Sequence, residues 1–281
     1  MGEAKMKLIL MGTNDFVVPI FERLRASGHD IMAVYTAAPA PMGRKHVMTP
    51  SPVHVWADHH HIPVYHTTRN FDKSEILNQK SDIDYIVVIS YGEILRSNVL
   101  DAAPCINIHP SDLPRYRGPS PIRTAIYNGD TVSAVCLIGV TPELDAGDIY
   151  MRRPLAIDEN DTNSDIEAKV SQIGADMLDE FLKNPAAYDP TPQLGVPTFT
   201  RKFTGADEVI DWTRGGRAVH NQIRALGAGR TKIAGVDVKI LETRMNGDTL
   251  VIHRLQPAGG RPMDWASFVN GHPDAINRVG Q

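Results

Sequence analysis

The sequence predicts an α/β fold: a mainly parallel sheet with helices on both faces, plus a small C-terminal β-rich domain. Three observations carry this. Apolar strands such as "KLILMG", "IMAVYT" and "DYIVVIS" alternate with helical patterns through the first two thirds of the chain, as expected of strands buried on both faces. A stretch without periodicity, "KNPAAYDPTPQLGVPT" (183–198), then packs in four prolines, which is linker composition. Beyond it, "VDVKILET" and "DTLVIHRLQ" read as strands split by Gly and Asn. The expected domains are 1–184 and 201–281, joined by a linker at 185–200, with the second a shortened barrel of the oligonucleotide-binding (OB-like) type.

In chain order, "KLILMG" is the first strand and "FVVPIFERLRASG" a helix stopped by Gly28. "IMAVYT" is the second strand, and the long stretch "AAPAPMGRKHVMTPSP" after it reads as irregular. A short helix at Val53–His60, the strand "IPVYHT", a helix around Lys73–Gln79 and the strand "DYIVVIS" follow. Next come the strand "CINIH", a helix at "PIRTAIYNG" and the strand "VSAVCLIGV". A long helix from Ser164 to Leu182 keeps Ile166, Val170, Ile173, Met177, Leu178 and Phe181 at helical spacing. The alternation is Rossmann-like in architecture.

The 281 residues suffice for two domains with at least one sizeable core. With 42% hydrophobic and 22% charged residues the composition is that of a globular protein, and no apolar run is long enough to span a bilayer. The apolar run in the opening "MGEAKMKLILMG" is only a strand long, so no leader is expected. Cys105 and Cys136 lie in strand-like segments and read as small buried hydrophobes of a reducing cytoplasm. No Cys/His set suggests a metal, and His54, His59, His60, His61 and His66 read as a solvated helix end. Trp56, Trp212 and Trp265 read as packing residues. Residues 201–281 hold 12 Lys and Arg against 8 Asp and Glu, a local +4, which leaves −8 on the first 200. A basic tail domain on an acidic body points to a polyanionic partner.

The chemistry concentrates at "INIHPSDLPRYRG" (106–118). In open α/β sheets ligands gather at the carboxyl ends of strands. Asn107 and His109 sit at such an end, two apart, so both project from one face. Asp145 follows the next long strand, in "ELDAGDIY". Asn, His and Asp can together run an acyl transfer. An amide or backbone N–H stabilises the oxygen that becomes negative. A histidine takes the proton from an attacking amine, and a carboxylate holds that histidine in one tautomer. Ser111 and Cys105 lack a second ordered base, which favours direct attack by a substrate amine over a covalent enzyme intermediate. "MGTND" is not a GxGxxG motif, so no nicotinamide site is expected.

The block "INIHPSDLPRYRGPSPIRTAIYNGD", followed by "LDAGDIY", resembles the signature of the formyltransferases that use 10-formyltetrahydrofolate. "MGTNDFVVPIFERL", "GRKHVMTPSPV", "SYGEIL", "IDWTRGGRAVHNQIRAL" and "LQPAGGRPMDWASFVNG" extend the resemblance, in order, to the methionyl-tRNA branch of that family. The resemblance implies that Asn107 holds the formyl oxygen, that His109 orients and deprotonates the amine, and that Asp145 positions His109 and an ordered water. It implies that Tyr91, Gly92, Glu93, Ile94 and Leu95, with Val140, Thr141, Pro142, Glu143 and Leu144, border the folate through their backbone. It implies that Gly12, Arg44, Lys45, His46, Ser111, Arg117 and Gly118 shape or meet the acceptor side. Gly118 and Gly147 also read as plain turn residues. The related domain that hydrolyses the same donor lacks the asparagine, so Asn107 implies transfer to an amine.

Two acceptors stay open. One is the methionine amino group of initiator tRNA, which the family meets with the loop Pro39–Thr49 and which the basic residues Arg214, Arg217, Arg224, Arg230 and Lys232 could track. The other is an amino-sugar nucleotide, kept open because strand material is missing between "VKILETRM" and "GDTLVIHRLQPAGG" and because "GAGRTKIAG" replaces a proline-rich barrel start. A catalytically silent folate- or RNA-binding homologue is the alternative from another class.

Overall fold

The computed structural model describes residues 5–43, 45–69, 71 and 83–275. The expected helix around Lys73–Gln79 and residue Arg44 lie outside the described residues. The chain divides into two compact units: residues 1–117, 134–154 and 168–198 form the first, and 118–133, 155–167 and 199–281 the second.

The strand β1 (Lys7–Gly12) is buried from Leu8 onward, which explains its unbroken apolar run. A 3-10 turn leads into α1 (Val18–Ala26), which packs Ile20, Phe21 and Leu24 inward and gives way to Gly28 at φ +86°. The strand β2 (Asp30–Tyr35) follows. The stretch expected to be irregular instead contains an exposed hairpin, β3 (Ala40–Met42) paired with β4 (Val47–Thr49). Its prolines and exposed Met42, Val47 and Met48 give no alternating pattern, so the period of 2 that marks a strand is missing.

The helix α2 (Pro52–His59) starts where the Ser51 hydroxyl accepts the His54 N–H at 3.0 Å, with proline in its first turn. The strands β5 (Val64–Tyr65), β6 (Tyr85–Ile89) and β7 (Cys105–His109) come next. The helix α3 (Pro121–Asn128) ends on Gly129 in the left-handed region. Then come β8 (Val132–Gly139), β9 (Ile149–Ala156) and the long α4 (Asn163–Lys183). The strand β9, "IYMRRPLA", escaped the sequence reading because two arginines and a proline interrupt it.

The main sheet runs β5-β2-β1-β6-β7-β8-β9. The pairs β2/β5, β1/β2, β1/β6 and β6/β7 are parallel, and β7/β8 is antiparallel. The chain reverses its direction of travel across the sheet at β1 and β6, and the loops at that switch point and at the end of β7 are where such a topology places a ligand.

In the second unit, α5 (Gly216–Leu226) packs on α3, and Val219 and Ile223 anchor it to a core with Ile233, Val238, Ile240, Ile252, Leu255 and Phe268. The strands β10 (Gly229–Ile233), β11 (Val236–Asn246), β12 (Thr249–Pro257) and β13 (Met263–Asp264) form an antiparallel sheet in that order. The short α6 (Trp265–Gly271) is capped by the Asp264 carboxylate accepting the Ser267 N–H. The second unit is therefore β-rich, as expected, and its described sheet has four strands against the five of an oligonucleotide-binding barrel.

Candidate active site

Both neighbours of Asn107 in the sheet are buried strands: it pairs with Val88 on β6 and Ile138 on β8. Its side chain is half-buried, and its amide has no hydrogen-bond partner among the described residues. Two residues on, His109 is 4% exposed. Its Nε2 lies 3.0 Å from the carbonyl oxygen of Tyr116. A carbonyl only accepts, so Nε2 carries the proton and donates it. Nδ1 is then the basic nitrogen, and it faces Asp145 Oδ2 at 3.6 Å. A carboxylate there stabilises the imidazolium that forms when Nδ1 takes a proton.

Local chain chemistry sets this geometry. After His109 the chain folds on itself: the Ser111 N–H donates to the His109 carbonyl at 3.0 Å, and the Ser111 hydroxyl donates to the Arg115 carbonyl at 2.6 Å. Ser111 is fully buried and committed to this turn. Tyr116 sits in the left-handed region at φ +61°, with the Arg115 guanidinium 4.7 Å above its ring. Asp145 also has positive φ, +49°, a conformation Asp tolerates better than most residues. Gly147 has a different requirement from the turn chemistry expected of it. A Cβ there would stand 1.7 Å from the Gly139 carbonyl oxygen, so only glycine lets this loop close against β8. Gly118, at φ +112°, needs glycine for its turn, and a Cβ would also meet Thr200 at 2.8 Å.

Arg117 is buried and forked: Nε and Nη2 reach Gln193 Oε1 at 3.1 and 2.8 Å, and Nη1 reaches Glu143 Oε1 at 3.1 Å. In the segment after β6, Glu93 accepts from the Tyr91 hydroxyl at 2.9 Å and from the Thr68 N–H at 3.0 Å. Burial acts to raise the Glu93 carboxyl, but the Thr68 and Tyr91 hydrogen bonds outweigh it and hold it below the ordinary range. Burial, then the bond to Glu93, pushes the Tyr91 phenol up. Leu95 is buried, Gly92 has open space around its Cα, and Ile94 is left exposed. Across the sheet, Val140 packs on the core while Thr141, Pro142, Glu143 and Leu144 are exposed or half-exposed. Gly12 closes β1, and a Cβ there would meet the Ile89 carbonyl oxygen at 2.8 Å. Lys45 and His46 occupy the exposed tip of the β3–β4 hairpin.

Other expectations can be placed. Burial pushes the Cys105 thiol up to about 12, so it supplies no thiolate. His60 Nε2 lies 3.1 Å from a Glu22 carboxylate oxygen and His54 Nε2 3.2 Å from one of Asp58, so these histidines face carboxylates on α1 and α2. No group of three His, Cys, Asp or Glu among the described residues could hold a metal ion. Trp56 is buried in the first unit, and Trp212 and Trp265 pack on the second unit's core. Sequence reasoning missed Gln193 and Thr198. The Thr198 hydroxyl accepts the Tyr116 N–H at 2.9 Å, and its carbonyl accepts the Arg117 N–H at 2.9 Å. The only trace of either in the sequence is a polar side chain among prolines.

Residues 4–182 match the family described as Formyl transferase. The methionyl-tRNA formyltransferase of Rickettsia bellii is 38% identical, over 98% of this chain and 100% of its own length. The chain belongs to the formyl transferase family. The fold agrees: methionyl-tRNA formyltransferase from Clostridium thermocellum superposes with a TM-score of 0.65 at 18% identity, covering 90% of this chain and 98% of that one. An N-formyltransferase from Helicobacter canadensis, solved with folinic acid and dTDP-3-aminofucose, superposes with a TM-score of 0.62 at 18% identity, covering 88% and 95%. This formyltransferase has no helix among its described residues long and apolar enough to cross a membrane.

Proposed function

We propose that the enzyme transfers a formyl group from 10-formyltetrahydrofolate to the methionine amino group of initiator methionyl-tRNA, in the cytoplasm. The observation that carries this reading is an Asn107 amide with no hydrogen-bond partner among the described residues, on the same strand face as a buried His109 paired with Asp145. The folate supplies the formyl group. Tyr91 to Leu95 and Val140 to Leu144 hold it, with backbone groups matching the pterin's donors and acceptors. Asn107 donates to the formyl oxygen as charge gathers there. His109 takes the amine proton on Nδ1, and Asp145 stabilises the resulting positive ring. Gly12, Ser111, Arg117 and Gly118 shape the approach, and Arg44, Lys45 and His46 meet the acceptor stem. Residues 1–184 form the catalytic domain, 185–200 the linker and 201–281 the domain that follows the tRNA backbone.

End-to-end coverage of the Rickettsia bellii relative supports the tRNA acceptor. The four-stranded second sheet favours the other reading, an amino-sugar nucleotide. An acceptor screen with 10-formyltetrahydrofolate decides. Formylation of charged initiator tRNA, lost in Arg44→Ala/Lys45→Ala, supports the proposal. Formylation of an amino-sugar nucleotide alone overturns the acceptor, and no transfer to either leaves a silent binding homologue. Because only the neutral amine attacks, the rate should rise with pH through the amine's pKa.

A further inference from the structure

We propose that Gln193 is a positioning residue for Asp145. Through its side-chain amide it holds Asp145 beside His109, a role that rests on the formyl-transfer reading of that pair. An amide can accept two hydrogen bonds and donate two, and Gln193 makes all four. Its Oε1 takes the Nε and Nη2 donors of Arg117 at 3.1 and 2.8 Å. Its Nε2 donates to the carbonyls of Asp145 and Gly147, both at 2.8 Å. Turning the amide over would set its NH2 against guanidinium donors and its oxygen against two carbonyls, so the orientation is determined by its partners.

This grip falls where the loop needs it. Asp145 is held at φ +49°, a sparsely populated conformation that persists only when surrounding contacts over-determine it. The two carbonyls that Gln193 ties flank the residue between them and fix the direction in which the Asp145 carboxylate leaves the chain. Beside Gln193 the segment offers no apolar anchor, since Leu194 and Val196 are 84% and 85% exposed. From Thr191 to Thr198 it is held by polar contacts at Thr191, Gln193 and Thr198. Thr191 exchanges backbone bonds with Ile149, Gln193 ties the Asp145 loop to Arg117, and Thr198 ties Tyr116, whose carbonyl sets the His109 tautomer. The proline-rich segment therefore acts as a strap across both halves of the acid–base pair.

The test uses the full-length enzyme with two substitutions. Gln193→Leu removes all four bonds. Gln193→Glu keeps an acceptor for Arg117 but replaces the amide donor with an oxygen facing two carbonyls. Both should lower kcat by about 10- to 100-fold, the usual effect of losing a residue that orients an active-site group, with little change in KM for the donor. In an Asp145→Asn background, Gln193→Leu should cost nothing further, because residues acting through one another are not additive. In 15N-histidine-labelled protein, the ring signals of His109, assigned with His109→Asn, should move in both variants while those of His220 stay in place. A Gln193→Glu enzyme with wild-type kcat, a full additional loss on top of Asp145→Asn, or an unmoved His109 ring in folded Gln193→Leu would each overturn the proposal. If the wild-type enzyme transfers no formyl group, the function proposed above is what fails, and the ring signals still decide the role of Gln193.

Discussion

Two buried histidines, one in each unit, are built alike on one side of the ring and differently on the other. His109 at the end of β7 places Nε2 on the Tyr116 carbonyl, and His220 on α5 places Nε2 on the Glu159 carbonyl at 2.9 Å. Both therefore carry their proton on Nε2. The difference lies at Nδ1. For His109 it faces the Asp145 carboxylate, which stabilises a positive ring; for His220 it accepts from the Thr243 hydroxyl at 2.9 Å. Burial, with Arg224 and Arg217 close by, depresses the basicity of His220, although the Glu159 carbonyl pulls the other way. Burial alone does not fit a histidine for the proton transfer proposed at His109. The partner of the second nitrogen is what differs: a carboxylate at His109, and at His220 a hydroxyl that ties α5 to β11.

Replacing each ring should separate these roles. His109→Ala or Asp145→Ala should lower kcat by about 10²- to 10⁴-fold while folate still binds, and Asn107→Ala by about 10²- to 10³-fold. Steady-state kinetics beside donor titration measures both, and near-wild-type turnover would remove the assigned role. His220→Ala should leave kcat per folded molecule unchanged but lower stability by about 1–3 kcal/mol, because the Thr243 hydroxyl and Glu159 carbonyl lose their partner. Denaturant unfolding would show it, and equal stability would break the contrast.

The contrast also has a pH signature. An unfolded histidine titrates near 6.5, and His220 in the folded chain titrates lower. As pH falls through 6.5 the unfolded chain takes up a proton that the folded chain refuses, so stability present above that pH is progressively lost below it. His220→Gln should flatten this part of the stability–pH curve; an unchanged curve would count against it. A smaller acid effect is expected at Glu22. There Arg25, followed by Trp56 and His60, holds the carboxyl at about 2 against an ordinary 4.5, although burial opposes them. Its contribution is present above 4.5 and fades as pH falls toward 2, and solvent screening of this half-exposed group keeps it small. Acid unfolding of Glu22→Gln, compared with wild type, should show a slight shift of the midpoint.

How far the sequence could be read depended on whether a signal was periodic. The strands β1, β2, β6 and β7 were legible because burial on both faces demands unbroken apolar runs. Asn107 and His109 stood out because polar residues at such a strand end need a partner. The helix α5 was not read as a helix: it opens on glycine and buries His220, Asn221, Gln222 and Arg224, and its side-chain donors reach distant backbone, as Arg224 does to the carbonyls of Asp158 and Asp161. Gln193 was invisible for a related reason. A single amide bonded to two distant stretches of chain leaves no local pattern.

What the amino-acid order settled alone is the succession of strands and helices and the placing of Asn107 and His109 on one strand face, because both follow from side-chain periodicity. Which nitrogen of His109 is basic, which carboxylate faces it and what holds that carboxylate were decided only in three dimensions. Those properties belong to hydrogen bonds between Tyr116, Asp145, Gln193 and Thr198, and their partners come together only once the sheet has assembled.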